Sequence, residues 1–175
     1  MIAQQANRGL AAELRVEMAN RYYLNKGLAL ITKVPTKFVP HWRSGEGIVG
    51  AHVERKSIVD FVGITHGGTG IAFDVKECSV ERWPLSKLEE HQRDFLNKWH
   101  SVFGGIAFVL LFYKPTDSVH VLTIDLYEAH QSVAEMTRQR GYKSLTMGKI
   151  TALPKCESTE GCVVDYLGML ERIGL

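Results

Sequence analysis

The sequence predicts an α/β fold in which a mixed β-sheet is flanked by helices. A helix-spaced apolar stripe opens the chain, two apolar stretches then flank a glycine-rich turn, and two further strands follow a second helix. Helices that alternate with short apolar strands indicate a sheet covered by helices. The predicted order is helix, strand, loop, hairpin, helix, two strands, helix.

The first helix is predicted over Leu10–Tyr23, because Leu10, Leu14 and Met18 recur at four-residue steps and form an apolar stripe. Later helices are predicted from Trp83 to about His100, over Asp125–Gln139 and over Asp165–Ile173. Strands are predicted at Leu28–Val34, Ile58–Ile64, Ile71–Cys78, Ile106–Tyr113 and Val119–Ile124. The Thr65–Gly70 segment has the composition of a hairpin turn.

Composition indicates one globular domain over residues 1–175, since 45% of the residues are hydrophobic and 23% are charged. The net charge of +2 means that any basic surface must be local.

The cysteines are Cys78, Cys156 and Cys162, and no two of them have C-x-x-C spacing, which favours reduced thiols. The polar start and the shortness of Ile106–Tyr113, the longest apolar run, predict a cytoplasmic protein without a membrane span.

Residues 37–56 are predicted to form a protruding loop or ribbon, because proline and glycine interrupt them and their periodicity is weak. Between Lys33 and Lys56 the chain carries five basic residues against two glutamates. Such a local excess suits phosphate contacts, although a solvated surface loop is the alternative. The candidate DNA-binding residues are Lys37, Arg43, Arg55 and Lys56, with Arg8 as a further candidate.

The main candidate for chemistry is Asp60 together with Asp74-Val75-Lys76. Side chains alternate between the faces of a strand, so Asp74 and Lys76 project to one side and Val75 projects to the other. Two carboxylates and the Val75 carbonyl are oxygen ligands of the kind that Mg²⁺ takes. Such a metal polarises a phosphodiester and lowers the pKa of a bound water, and a nearby lysine stabilises the developing negative charge.

This site depends on the hairpin register. Asp60 shares a face with Asp74 only if it pairs near Asp74 or Lys76, and a shift by one residue sends it to the opposite face. An Asp and a Lys on a solvated strand face form a minor surface pair in the alternative interpretation. Glu77 is expected to face away from Lys76.

Beyond these patterns, the chain resembles the RecU family of Holliday junction resolvases, found in bacteria and some phages. The resemblance lies in the order and spacing of short motifs: Asn7-Arg8-Gly9 with Glu13, Tyr22-Tyr23-Leu24, Lys33-Val34-Pro35-Thr36, Asp60-Phe61-Val62-Gly63, Phe73-Asp74-Val75-Lys76-Glu77, Pro84-Leu85, His91-Gln92, Gly105–Phe112, Arg140-Gly141-Tyr142-Lys143-Ser144 and Asp165-Tyr166. It implies the restriction-endonuclease-like fold of the PD-(D/E)xK superfamily. Family members carry Glu where this chain has Asp74, and the superfamily pattern accepts either.

By this resemblance, Asp60 and Asp74 are metal ligands, Lys76 is the catalytic lysine and Gln92 contacts metal-bound water or DNA. Glu13 completes the metal site through water or is simply a solvated helix charge. The metal is Mg²⁺, with Mn²⁺ possible. Residues 37–56 correspond to a stalk that enters the centre of a four-way junction, and the active form is a homodimer.

The function predicted is a metal-dependent endodeoxyribonuclease that resolves four-way junctions by paired symmetric nicks in DNA recombination and repair. Recombinases or branch-migration proteins are possible partners. A related branched-DNA or repair endonuclease would differ in substrate preference. A non-catalytic junction-binding accessory protein would bind without cutting, and an α/β domain with no DNA role would show no salt-dependent DNA affinity.

Overall fold

A computed structural model describes residues 8–55, 58–137 and 140–175, and the side chains of residues 8, 37, 38, 52–55, 140 and 141 lie outside the described part. The helices are α1 (Arg8–Asn25), α2 (Glu90–Ser101), α3 (Ile124–Thr137), α4 (Met147–Thr151) and α5 (Tyr166–Arg172). The strands are β1 (Ala29–Lys33), β2 (Lys37–Arg43), β3 (Gly47–Arg55), β4 (Phe61–Thr65), β5 (Gly70–Cys78), β6 (Arg82–Pro84), β7 (Ile106–Tyr113), β8 (Ser118–Thr123), β9 (Ser144–Thr146), β10 (Lys155–Thr159) and β11 (Cys162–Asp165).

The largest sheet has seven strands in the order β1-β4-β5-β7-β8-β10-β11. Strands β5 and β7 are parallel, and the other neighbours in this sheet are antiparallel. The predicted mixed sheet is therefore confirmed. Strand β7 is an unbroken apolar run because helices cover both of its faces.

Each face of this sheet has its own core. On one face, α1 and α5 cover a stack of Phe61, Phe73 and Phe108, with ring centroids 5.1 and 4.7 Å apart. On the other face, α2 and α3 pack with Trp83 and other apolar side chains. The α2 face is the one that Asp74 and Lys76 share with buried Ala72 and Cys78.

The apolar stripe of the first helix does not pack on the sheet as its spacing predicts. Leu10, Leu14 and Met18 are each about half exposed, at 48%, 49% and 56%. The face of α1 that packs on the sheet carries smaller residues and one tyrosine: Ala12, Val16, Ala19 and Tyr23. Large aromatic rings already fill this side of the sheet, so the helix approaches with its small side chains.

The predicted start of the second helix at Trp83 is also wrong. Trp83 is buried in β6, which pairs with β9, and Leu85–Lys87 form a 3₁₀ turn. Pro84 has an extended conformation, with ψ at 132°. Helix α2 begins only at Glu90. Within the described ranges, no helix combines the length and apolarity that crossing a membrane requires.

Residues 37–55 form a two-stranded antiparallel ribbon, β2–β3, which is a sheet of its own. The turn follows Arg43, and Gly45 and Gly47 have φ values of 84° and 78°. Residues 40–51 are all exposed, including Trp42 at 72%. The sequence predicts a loop or a ribbon here, and the structure has a ribbon. Neither of its strands pairs with the seven-stranded sheet.

Candidate active site

The hairpin register meets the condition set by the sequence. Phe61 pairs with Phe73, and Val62 pairs with Ala72. Continued by one residue, this register brings Asp60 opposite Asp74. Asp60 lies where β4 begins, and its main-chain carbonyl accepts a hydrogen bond from Val34 N at 2.8 Å.

The Asp60 carboxylate completes the edge of β5. Its Oδ2 accepts a hydrogen bond from Val75 N at 2.7 Å. The paired part of β4 begins at Phe61, so no main-chain carbonyl of β4 is available to Val75. The N–H and C=O of one strand residue point to the same side. The Val75 carbonyl therefore points toward Asp60 as well, while the Val75 side chain packs in the core on the other face.

Asp74, Lys76 and Gln92 form a closed set of contacts between β5 and α2. Asp74 is fully buried, and its Oδ1 accepts a hydrogen bond from Gln92 Nε2 at 2.6 Å. Its Oδ2 lies 2.5 Å from Lys76 Nζ. Lys76 Nζ also donates to Gln92 Oε1 at 3.1 Å. The alternative of a minor surface pair does not describe this arrangement, because its carboxylate is buried.

Burial dominates the electrostatics of Asp74. It raises the pKa of the Asp74 carboxyl to about 7, Lys76 opposes this rise, and the neighbouring Asp60 carboxylate adds to it. The Lys76 ammonium contacts Asp74 Oδ2, and the Asp60 carboxylate lies opposite Asp74 on the same face of the sheet. A divalent cation between the Asp60 and Asp74 carboxylates would offset the repulsion that adds to the pKa of Asp74.

The donor set fits a hard divalent cation. Asp60 and Asp74 supply carboxylates, and the Val75 carbonyl points to the same edge. Among residues 8–55, 58–137 and 140–175, no cluster of three or more His, Cys, Asp or Glu side chains can hold a metal. Mg²⁺ usually takes one or two carboxylates and keeps several waters, so a site with two carboxylates suits it better than it suits Zn²⁺.

Two other acidic candidates lie apart from this set. Glu77 faces the opposite side of β5 and pairs with Lys114 at 2.8 Å, in agreement with the strand alternation. Glu13 Oε2 lies 2.6 Å from Lys33 Nζ, which also contacts Glu17. The structure brings Glu13 to Lys33 and does not group it with the Asp60–Asp74 pair, so its catalytic role stays a prediction.

Sequence reasoning missed the residues that hold α2 in place. The Arg93 guanidinium makes two hydrogen bonds to Glu128 on α3, and Asn97 Nδ2 donates to the same carboxylate at 2.6 Å. Arg93 holds the pKa of the Glu128 carboxyl below its ordinary value. No sequence signal pairs Arg93 with Glu128, because they belong to different helices. By contrast, Glu89-x-x-Gln92 has the spacing of a capping box and was detectable.

Of the candidate DNA-binding residues, Arg43 is the one whose side chain is described. It lies exposed near the ribbon turn, with Nη1 3.3 Å from Glu46 Oε2. This exposed pair is weak and leaves the guanidinium available to a phosphate. Lys56 lies outside the described residues, as do the side chains of Arg8, Lys37 and Arg55.

A family model described as Recombination protein U, RecU, matches residues 7–172. The chain belongs to the RecU family. Relatives from several bacteria are named Holliday junction resolvase RecU. The one from Staphylococcus saprophyticus is 32% identical over 82% of this chain and 69% of its own. Those from Streptococcus pneumoniae (strain Taiwan19F-14) and Streptococcus sanguinis are 31% and 29% identical, over 83% and 91% of this chain and 73% and 85% of their own.

A solved structure of Hjc, a Holliday junction resolvase from Archaeoglobus fulgidus, is also similar to this RecU-family chain. The two are 18% identical, with a TM-score of 0.38 over 63% of this chain and 77% of the other.

Proposed function

We propose that this RecU-family protein is a metal-dependent endodeoxyribonuclease that resolves four-way DNA junctions by paired nicks. The observation that carries the proposal is the buried Asp74 carboxylate, with Asp60 and Lys76 around it on the central part of the sheet. The names of the relatives, Holliday junction resolvase RecU, supply the substrate. Together they favour a nuclease over a non-catalytic junction-binding protein.

In this proposal, Asp60, Asp74 and the Val75 carbonyl hold Mg²⁺, and Mn²⁺ can replace it. When bound, the metal polarises the scissile phosphodiester and lowers the pKa of an attacking water. The Lys76 ammonium lies beside Asp74 and stabilises the negative charge that develops on the phosphoryl oxygens. Gln92 donates to Asp74 Oδ1 and accepts from Lys76, so it fixes the distance between the two.

The ribbon and a two-fold assembly complete the proposal. Residues 40–51 of the β2–β3 ribbon are exposed, and residues 37–56 carry four basic residues against two glutamates, which suits entry between the arms of a junction. A four-way junction is pseudo-symmetric, so two matched nicks require two active sites related by a two-fold axis, as in a homodimer. A cytoplasmic location is part of the proposal. A recombinase or branch-migration partner stays a prediction.

The deciding experiment is cleavage of a synthetic four-way junction, a flap and a linear duplex, each in Mg²⁺, Mn²⁺ or EDTA. We expect paired nicks in the junction with either metal, much slower cleavage of the other two substrates, and no product in EDTA. Preference for the flap or duplex would favour the related repair endonuclease. Junction binding without any cutting in either metal would favour the accessory protein and overturn the proposed function.

Arg43→Ala is expected to weaken junction binding to a similar degree for different junction sequences. Phosphate contacts are independent of sequence, so the slope of log Kd against log salt should fall by about 1. Electrophoretic mobility or anisotropy titrations at several salt concentrations measure this. Arg172→Ala is the control, because Arg172 is also exposed and paired with a glutamate, Glu157, but lies on α5. Equal losses in both variants contradict a specific role for the ribbon.

Leu14→Glu is expected to convert a dimer into monomers. Leu10, Leu14 and Met18 form an exposed apolar row on α1, and contiguous exposed apolar surface marks an interaction site. A charge in its middle would be buried without a partner in a dimer. Sedimentation equilibrium measures the change. Met136→Glu is the control, since Met136 is 83% exposed near the end of α3. An unchanged dimer in Leu14→Glu places the interface elsewhere.

A further inference from the structure

The orientation of the Gln92 amide is a separate requirement of this site. Gln92 is 7% exposed, and its amide makes three hydrogen bonds. Nε2 donates to Asp74 Oδ1, while Oε1 accepts from Lys76 Nζ and from the main-chain N of Glu89, both at 3.1 Å. A half-turn of the amide would exchange its oxygen and nitrogen. Oε1 would then face the buried Asp74 carboxylate, and two acceptors would oppose each other.

Two of the three partners can only donate, and they differ in how firmly they are held. The Lys76 ammonium ends a flexible four-carbon chain, so it can move with the amide. The Glu89 N–H is part of the main chain at the N-cap of α2 and cannot move without the helix. This contact is half of a capping box, with Gln92 at the N3 position. The Glu89 N–H is therefore the fixed reference for the amide.

Other contacts also hold this helix in place. Arg93 and Asn97, in the following turns of α2, hold α2 to Glu128 of α3, and Leu96 is buried beneath the helix. Loss of the Glu89 N–H should consequently leave α2 in place and release only the amide. Orientation of Gln92 and position of α2 can then be separated by experiment.

We propose that Glu89 is a positioning residue whose main-chain N–H fixes the Gln92 amide, so that its oxygen faces Lys76 and its nitrogen holds one oxygen of Asp74. The second Asp74 oxygen is thereby kept toward Lys76, at the point where the cation is expected. This inference rests on the proposed function for its effect on cleavage, but the amide orientation itself is a property of the free protein.

Glu89→Pro tests the proposal because it removes the N–H and places the proline Cδ where Gln92 Oε1 now lies, so the amide cannot keep its orientation. Glu89 has φ at −69°, which proline adopts, and Leu88 before it has the extended ψ of 111° that a following proline requires. Glu89→Ala is the matched control, since it removes the carboxylate and keeps the N–H. Under single-turnover conditions with saturating junction, we expect Glu89→Pro to cleave roughly 100-fold more slowly and Glu89→Ala to cleave within about twofold of the unaltered protein. The junction Kd, measured without a divalent cation, should be the same in all three.

A second readout does not require cleavage. The Gln92 side-chain NH₂ signals in a ¹H–¹⁵N spectrum, assigned by their loss in Gln92→Glu, should be protected from solvent exchange in the unaltered protein and in Glu89→Ala. In Glu89→Pro they should exchange rapidly. If Glu89→Pro does not fold, an ester in place of the 88–89 amide, on the Glu89→Ala background, removes the same donor.

Unchanged amide signals and unchanged cleavage in Glu89→Pro overturn the proposal. Equal slowing of cleavage in Glu89→Pro and Glu89→Ala also overturns it, because the carboxylate would then be responsible. If the unaltered protein cuts no junction, the proposed function fails, and the amide signals alone decide the role of Glu89.

Discussion

Lys76→Ala should abolish junction cleavage while junction binding survives, with a loss of about a thousandfold in the single-turnover rate constant. Lys76 Nζ lies 2.5 Å from Asp74 Oδ2, so it sits where charge develops on the phosphoryl group if Asp74 holds the metal. Asp74→Ala should have an effect of similar size, because it removes a metal ligand. Quenched-flow cleavage assays and mobility shifts in the absence of metal measure the two properties separately.

Glu77→Gln is the matched control for these two variants. Glu77 follows Lys76 on the same strand, is less exposed than Lys76, and faces the opposite side toward Lys114. Its replacement should leave the cleavage rate within about twofold, since it removes one ionic contact away from the proposed metal. Normal cutting in Mg²⁺ by both Lys76→Ala and Asp74→Ala would falsify the site assignment, although the protein could still be a nuclease.

Gly63→Ala should destabilise the protein by about 3 kcal/mol. A Cβ atom on Gly63 would lie 2.3 Å from the Leu30 carbonyl oxygen and 2.6 Å from Ile31 Cα, so main-chain atoms of β1 would have to move. Strand β4 also leads back to Asp60, so the register of the site depends on this close approach. Urea denaturation followed by circular dichroism gives the free energy of unfolding.

Gly67→Ala is the control for Gly63→Ala. Gly67 lies in the hairpin turn, where an added Cβ atom would meet only Thr65 Oγ1, at 3.9 Å. Its free energy of unfolding should change by less than about 1 kcal/mol. If Gly63→Ala and Gly67→Ala have the same free energy of unfolding, β1 can move away from β4 with little loss of stability, which contradicts the prediction.

The candidate site was largely predictable because local rules determine it. Alternation along β5 puts Asp74 and Lys76 on one face, and the turn between Thr65 and Gly70 allows the register that brings Asp60 opposite Asp74. The register itself could not be read from the sequence, since a six-residue turn fits more than one pairing. The family resemblance supplied Gln92, but its contacts with both Asp74 and Lys76 depend on where α2 packs.

The errors arose where packing outweighed periodicity. Leu10, Leu14 and Met18 have helical spacing, but the smaller residues around Ala12 and Ala19 allow closer approach to a sheet face filled with aromatic rings. Strands β9 to β11 were missed because they are three to five residues long and carry little pattern of their own. Their conformation is set by neighbours distant in the chain, such as Trp83 opposite Leu145.

The hydrogen bond from Val75 N to the Asp60 carboxylate has a consequence for how variants at Asp60 are interpreted. The Asp60 side chain accepts the hydrogen bond of the Val75 amide at the end of the paired strands and is also a proposed metal ligand. Asp60→Ala therefore removes the acceptor of that amide as well as the ligand. If Asp60→Ala abolishes cleavage, the loss can therefore come from an unpaired strand end or from the missing metal ligand. Asp60→Asn keeps an oxygen for Val75 while removing the negative charge, and only this isosteric change separates architecture from charge at that position.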